Sequence, residues 1–530
     1  MSIAEDSVAE LGRATRLVGG LTLLSRISGF ARVVIVTAVL GRTALGDVYQ
    51  SVNLVPNVVF ELIAAGTLQA ALLPALVGAE ARGGTRRADQ VANIVMGWVL
   101  VGMAGLALLV AVLSPVIVRL LFLGTSSDAL RVDKVDLGVP FLLVFAPQLV
   151  CYGAGLVAAA ALQARHRFGA PAIAPLVNNL VVIGCYLWFA RLRGDAPPSL
   201  DLSAGEVAVL AGGTTLGVIA FTAVPVVAAT RLGLRWRPQL RRDDPAVHGL
   251  LRTGGWAGMT VAATQALTLA VLLLGNGVEG AVPTFFFAFA IFQLPYALVA
   301  IPVATTRAPL VSRHWVDEDA SGAAALVRDG LTPTVSMLAL AGAAMVALAW
   351  PIVRLLAFGE NAAGDLAPLA HAVAAFGPGL AAYGALFYLT RVAFAVGLAR
   401  WPATAAVLTV VAGAAGMIVA SLAAPDDERA AVLAACFSLA PLFGAVLLSR
   451  VLSTRFGEPV GSAAVVGGAL AAATGAGLAM AGVAAMFSTT SRVGSLVVLI
   501  AAGLAGSLVA AVVLPFLTRR PWRVLLGAST

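Results

Sequence analysis

The chain has 530 residues, 60% of them hydrophobic and 11% charged, with a mean hydropathy of +0.96 and a net charge of +8. Soluble domains carry about 25% charged residues, so the composition excludes a soluble enzyme or binding module and requires an all-α polytopic membrane protein. The positive charge comes from 33 arginines and a single lysine, Lys134; in short loops it reports topology rather than affinity for nucleic acid.

Fourteen apolar spans are expected, at 15–40, 46–78, 90–121, 135–163, 168–190, 205–230, 247–275, 281–312, 326–357, 366–397, 401–424, 430–453, 460–487 and 493–517. The first is long enough to cross a bilayer and carries only two charges between residues 17 and 40, Arg26 and Arg32. It is too long, and charged in the wrong place, to be a signal peptide. Three spans carry Pro, Gly or Asn interruptions: "NLVPNVVFELIAAGT" (53–67), "LVFAPQLVCYGAG" (143–155) and "AIFQLPYALVAIP" (290–302). Breaks of this kind free backbone groups and often mark transporter sites.

Alternate loops carry unequal charge. The side with the N-terminus holds 22 basic residues against 9 on the other, with Arg26, Arg32 and Arg391 left inside spans. By the positive-inside rule both termini are expected in the cytoplasm.

The second half echoes the first. "PVIVRLLFLG" (115–124) recurs as "WPIVRLLAFG" (350–359), and "FAPQLVCYGAG" (145–155) as "FGPGLAAYGAL" (376–386). Both matches shift the chain by six spans, an even number, which predicts two parallel six-helix halves followed by two appended helices. The expected organisation is a first half at 1–230, a basic cytoplasmic linker at 231–252, a second half at 253–455, and helices 13 and 14 with a tail at 456–530. The linker is expected to include a short helix along the membrane surface, where it could attract anionic lipid.

Arg26 and Arg32 are six residues apart, so they lie about 120° from each other around a helix. A membrane arginine costs roughly 2.5–3.5 kcal/mol on insertion scales. It therefore pairs with a carboxylate, snorkels, or faces a wet interior where its planar fork suits phosphate or carboxylate. Asp47 and Glu61 are the candidate internal partners. Other polar residues within spans include Asn53, Asn57, Gln293, Thr306, Tyr383 and Arg391; together they predict a polar cavity or its gates. Cys151, Cys185 and Cys436 lack paired spacing, the four histidines form no metal motif, and no P-loop or nucleophile elbow occurs. A transporter is expected rather than an enzyme.

Residues 13–77 resemble the opening of the MurJ/MviN family of lipid II flippases, within the larger MOP exporter superfamily that includes MATE multidrug exporters. The marks are "SRISGFAR" (25–32), Asp47, "VPN" (55–57) and "AAGTLQAALLPAL" (64–76), with "IPVATTRAPLVSRH" (301–314) in span 8. The resemblance implies alternating-access transport of an undecaprenyl-diphosphate-linked peptidoglycan precursor across a bacterial cytoplasmic membrane. It implies Arg26 as the main diphosphate contact, Arg32 as a second contact or gate, and Asp47 with Glu61 as gate or ion-pair partners. The last two helices would form a groove for the lipid tail. No cofactor is implied; a coupling ion or the membrane potential would supply energy. Implied partners are the lipid-linked substrate, membrane lipids and the cell-wall synthesis machinery. The chain departs from the family where Phe60 and Glu61 follow Asn57 in place of arginines. It departs again where no arginine precedes Pro295 and where Ala65 replaces a Glu. Those departures leave room for another polyprenyl-linked glycan as substrate. A MATE-like exporter of drugs or cations, or a transport-inactive scaffold, are the remaining readings.

Overall fold

The computed structural model describes residues 2–62, 68–241, 255–362, 364–487 and 491–518, and among these every regular element is helical. Thirteen helical stretches of the described residues, some joining two of the helices named below, are long and apolar enough to cross a membrane. The chain divides into two compact units, residues 1–265 and 266–530.

The first unit contains α1 (Ser2–Leu40), α2 (Ala44–Phe60), α3 (Leu68–Val112), α4 (Ser114–Leu121), α5 (Asp128–Phe145), α6 (Gln148–Ala164), α7 (Gly169–Arg193) and α8 (Ala204–Arg231). Helix α9 (Gly255–Gly275) carries the division between the units. The second unit continues with α10 (Ala281–Val316), α11 (Ala320–Ala347), α12 (Ala349–Leu356), α13 (Ala367–Phe376) and α14 (Leu380–Ala395). It ends with α15 (Arg400–Ala423), α16 (Arg429–Leu439), α17 (Pro441–Phe456), α18 (Ala463–Ala485) and α19 (Arg492–Thr518). The appended pair α18 and α19 pack on each other, and α18 packs on α11.

The repeated sequences adopt repeated breaks. In the first unit α3 stops at Val112 and the short α4 follows; in the second α11 stops at Ala347 and the short α12 follows. Likewise α5 and α6 are separated at Ala146 and Pro147, and α13 and α14 by the 3-10 turn Gly377–Gly379. The second of these breaks needs its glycine: a Cβ on Gly379 would stand 2.0 Å from the Ser438 carbonyl oxygen.

The interruption expected at 53–67 falls at the end of α2: the helix is only 17 residues long, Glu61 and Leu62 form a wider π turn, and residues 63–67, with Ala65, lie outside the described residues. Two expectations are corrected. The loop expected around 79–89 is helical on both sides of a two-residue kink at Gly83 (φ −149°, ψ 21°) and Gly84 (φ 66°, ψ −172°). The Gly84 conformation is reserved almost entirely for glycine. A Cβ there would meet no atom within 4 Å, so the obstacle is backbone strain alone. Gly84→Ala is expected to lower stability by about 1–3 kcal/mol, read as a lower unfolding temperature of the purified chain. The break expected at 290–302 is also absent, because α10 runs unbroken through Pro295, Pro302 and Pro309. Each proline removes one donor, whereas unwinding the helix in an apolar medium would strand many.

The surface helix expected within 231–252 falls largely on 242–254, outside the described residues. The part that is described lies along α3. Asn93 donates to the Arg235 carbonyl at 3.1 Å and accepts from the Arg237 amide at 2.5 Å, while its own carbonyl accepts from the Gln239 amide at 3.1 Å.

Candidate functional site

Asn179 of α7 holds the arginine-bearing stretch of α1. Its side-chain nitrogen donates to Ser28 Oγ at 3.0 Å and to the Ser25 carbonyl at 3.4 Å. Gly29 lies against the same side chain: a Cβ there would stand 3.5 Å from the Asn179 nitrogen, an ordinary van der Waals contact. The small residues around Arg26 thus serve close helix packing, and the two arginines project elsewhere. Arg26 is exposed and Arg32 is half-buried. Among the described residues neither guanidinium makes a hydrogen bond or an ion pair.

A tyrosine cluster lies within electrostatic range of Arg32. The Arg32 charge acts on the phenols of Tyr49, Tyr152 and Tyr186. The Tyr49 hydroxyl lies 2.6 Å from that of Tyr186 and 2.7 Å from Thr214 Oγ1. Thr214 donates its own proton to the Leu210 carbonyl at 2.7 Å. The chain therefore runs one way: Tyr186 donates to Tyr49, and Tyr49 donates to Thr214. Tyr49→Phe is expected to cost about 1–3 kcal/mol, because two buried hydroxyls lose their partner at once. Thermal unfolding of the purified variant checks this.

A second set of polar groups adjoins the cluster. The Tyr152 hydroxyl donates to Gln148 Oε1 at 3.4 Å with the Asn57 side chain close by, and its ring lies 5.3 Å from that of Phe60. Gln148 donates to Thr215 at 2.9 Å, and Asn57 donates to the Asn53 carbonyl at 3.0 Å. The structure thus brings Arg32 and Asn57 into one polar and aromatic wall, with Asn53 beside it.

Asp47 is elsewhere. Its Oδ2 accepts a hydrogen bond of 3.0 Å from Lys134 Nζ of α5, and the two side chains are 0% and 1% exposed. The Phe122 ring lies 5.6 Å from the ammonium. Lys134 was expected in a loop; it is instead buried in a helix, because its carboxylate partner lies within the fold. The expectation that Asp47 or Glu61 neutralises Arg26 or Arg32 is not met: Asp47 is taken by Lys134, and Glu61 makes no ion pair among the described residues.

In the second unit, Tyr383 packs among rings, 5.1 Å from Phe292 and 4.9 Å from Tyr296. Gln293 nearby in sequence has a buried side-chain oxygen with no hydrogen-bond partner. The Thr306 hydroxyl is spent on its own helix, donating to the Pro302 carbonyl at 2.9 Å. Arg391 is exposed and stacks 5.3 Å above the Phe387 ring.

Sequence reasoning passed over Lys134 and the tyrosines. Lys134 had a signal, as the one lysine among 33 arginines. Tyr49 and Tyr186 had none, since nothing in the sequence brings residues 137 positions apart into contact.

Comparison with known proteins gives a consistent result. The family model described as lipid II flippase MurJ matches residues 36–502, beginning just after Arg32. The chain is 31% identical over 370 residues to a probable lipid II flippase MurJ of Rhizobium meliloti, covering 69% of this chain and 67% of that protein. It is 26% identical over 383 residues to the lipid II flippase MurJ of Burkholderia cenocepacia, covering 70% of each. Among solved structures, a lipid II flippase MurJ in an inward closed conformation superposes with a TM-score of 0.74 at 18% identity, over 95% of this chain and 99% of that one. An inward-facing multidrug resistance MATE family transporter of the MOP superfamily superposes with a TM-score of 0.65 at 14% identity, over 83% and 98%. At these identities the structural matches speak for the fold alone.

Proposed function

The chain belongs to the lipid II flippase MurJ family, and from that membership we propose that it carries lipid II across the cytoplasmic membrane, with Arg26 and Arg32 engaging the diphosphate. The observation that carries this reading is the pair of membrane arginines that no carboxylate of the described residues neutralises. A cation held at that depth is tolerated where an anion arrives to meet it. A lipid diphosphate offers two phosphoryl groups to two guanidinium forks. The Tyr49–Tyr186–Thr214 chain keeps the wall beside Arg32 rigid, so that the fork meets its ligand without first being ordered.

The two repeated halves would alternate between inward-open and outward-open states around this site, driven by the membrane potential or an ion gradient. Asn53, Asn57, Glu61, Gln293, Thr306, Tyr383 and Arg391 would line the path or its gates. Both termini would lie in the cytoplasm, as the charge bias of the loops favours. Docking to the cell-wall synthesis machinery would place the flippase where its cargo is used.

An exporter of drug cations is less well supported. It would need free acidic groups, and Asp47 is already engaged by Lys134. Another polyprenyl-linked glycan remains the second reading, favoured by Phe60 and Glu61 where the family resemblance places arginines.

The test is complementation. Cells depleted of their lipid II flippase receive this chain as wild type, Arg26→Ala or Arg26→Lys. Rescue by wild type, with loss in Arg26→Ala and partial rescue by Arg26→Lys, is expected. Failure of a well-expressed wild type would sink the lipid II assignment in favour of another glycan. Equal rescue by all three would remove Arg26 from the site.

A further inference from the structure

The connection between α6 and α7 forms a second cationic feature, separate from Arg26 and Arg32. His166 adopts φ 56°, a left-handed conformation uncommon for a residue with a side chain, and so ends α6 in a sharp turn. This turn sets Arg167 and Phe168 beside the last turn of α8, which carries Arg231. Between them lies a cavity of about 800 Å³. Its floor is apolar, with Leu162, Ala223, Val224 and Val227, and its rim is basic, with His166, Arg167 and Arg231. Phe168, Val227 and Leu232 are large apolar side chains left 43%, 46% and 45% exposed beside those charges.

The charges are available. Arg165, next in sequence, is committed to Asp89 in an ion pair, and Asp89 with Glu80 lines the adjoining cavity. The guanidinium groups of Arg167 and Arg231 make no ion pair or hydrogen bond among the described residues. Gly169 and Ala170, the first residues of α7, line the same cavity. Phe168 gives that helix no side-chain cap, so its opening amides add positive potential at the rim.

We propose that this cavity is a binding site for an anionic phospholipid. Arg167 and Arg231 bond its phosphate, and the apolar floor receives the upper part of its acyl chains. A free phosphate would use the rim but gain nothing from Leu162, Val224 and Val227, whereas a lipid uses both. Basic pockets between membrane helices recognise anionic headgroups in this way. The site rests on the membrane-spanning reading alone and is independent of lipid II transport.

The test uses the purified full-length chain, stripped of lipid and titrated with phosphatidylglycerol, phosphatidylcholine or inorganic phosphate. Bound lipid is counted by native mass spectrometry. Phosphatidylglycerol is expected to bind at least roughly tenfold more tightly than phosphatidylcholine. The double variant Arg167→Gln with Arg231→Gln should lose that preference, and Arg167→Lys with Arg231→Lys should retain much of it. Unfolding temperatures of the variants confirm that the chain is folded; if the Gln pair is not, the comparison of wild type with the Lys pair and of the two lipids decides. Equal binding of both lipids, or a preference unchanged in the Gln pair, overturns the proposal. Displacement of phosphatidylglycerol by millimolar inorganic phosphate also overturns it and leaves a free-anion site.

Discussion

Lys134→Ala is expected to lower the stability of the purified chain by about 3–5 kcal/mol, the cost of breaking a buried ion pair by removing its ammonium. Lys134 Nζ lies 3.0 Å from Asp47 Oδ2 and neither side chain reaches solvent, so water does not replace the lost contact to the carboxylate. Asp47→Ala should cost a similar amount by stranding the ammonium. The double change Asp47→Leu with Lys134→Met should recover most of the loss, because an apolar pair of similar volume needs no counter-charge. Thermal unfolding of the three variants and the wild type in detergent reads this directly. A double variant as unstable as the sum of the singles would contradict the account, since independent losses add and a lost pair does not. The pair ties α2 to α5, so the same variants should also lose transport to the extent that they unfold.

Arg32→Ala and Arg26→Ala carry the second large effect, on transport rather than on folding. A hydrogen bond to a charged group contributes about 1.5–3 kcal/mol, so each truncation should weaken capture of the lipid diphosphate roughly 10- to 100-fold. Stability should hold, because neither guanidinium has a protein partner among the described residues to strand. Arg→Lys keeps the charge but loses the planar fork, so partial activity is expected. Arg32→Ala should additionally leave the Tyr49–Tyr186–Thr214 chain in place, because those hydroxyls satisfy one another. Lipid II flipping measured alongside unfolding temperature separates the two effects. A variant that unfolds earlier by the amount it loses in transport would turn the arginines into structural residues.

Much of the fold was legible because apolar length is a local property. The repeat was also legible, since "PVIVRLLFLG" and "WPIVRLLAFG" each encode a long helix followed by a short one, α3 with α4 and α11 with α12. Backbone geometry was read less well. Pro295 and Pro302 in α10 signalled a break that the apolar surroundings overrode, and Gly83–Gly84 compressed an expected loop into a kink. The site was half legible. Arg26 and Arg32 stood out as charges in an apolar span, and Asp47 as a candidate partner. The partner assignment missed, because choosing between Arg32 and Lys134 requires the packing of α2 on α5, which no local pattern reports. The buried tyrosine cluster was invisible for the same reason.

The central claim is that the two arginines of α1 serve a lipid diphosphate. The most direct measurement reconstitutes the chain into liposomes with fluorescent lipid II and follows its exposure to a membrane-impermeant quencher. Wild-type protein should deliver lipid II to the quencher faster than empty liposomes do, and Arg26→Ala with Arg32→Ala should fall to the empty rate while remaining folded. Transport by the double variant at the wild-type rate would contradict the account.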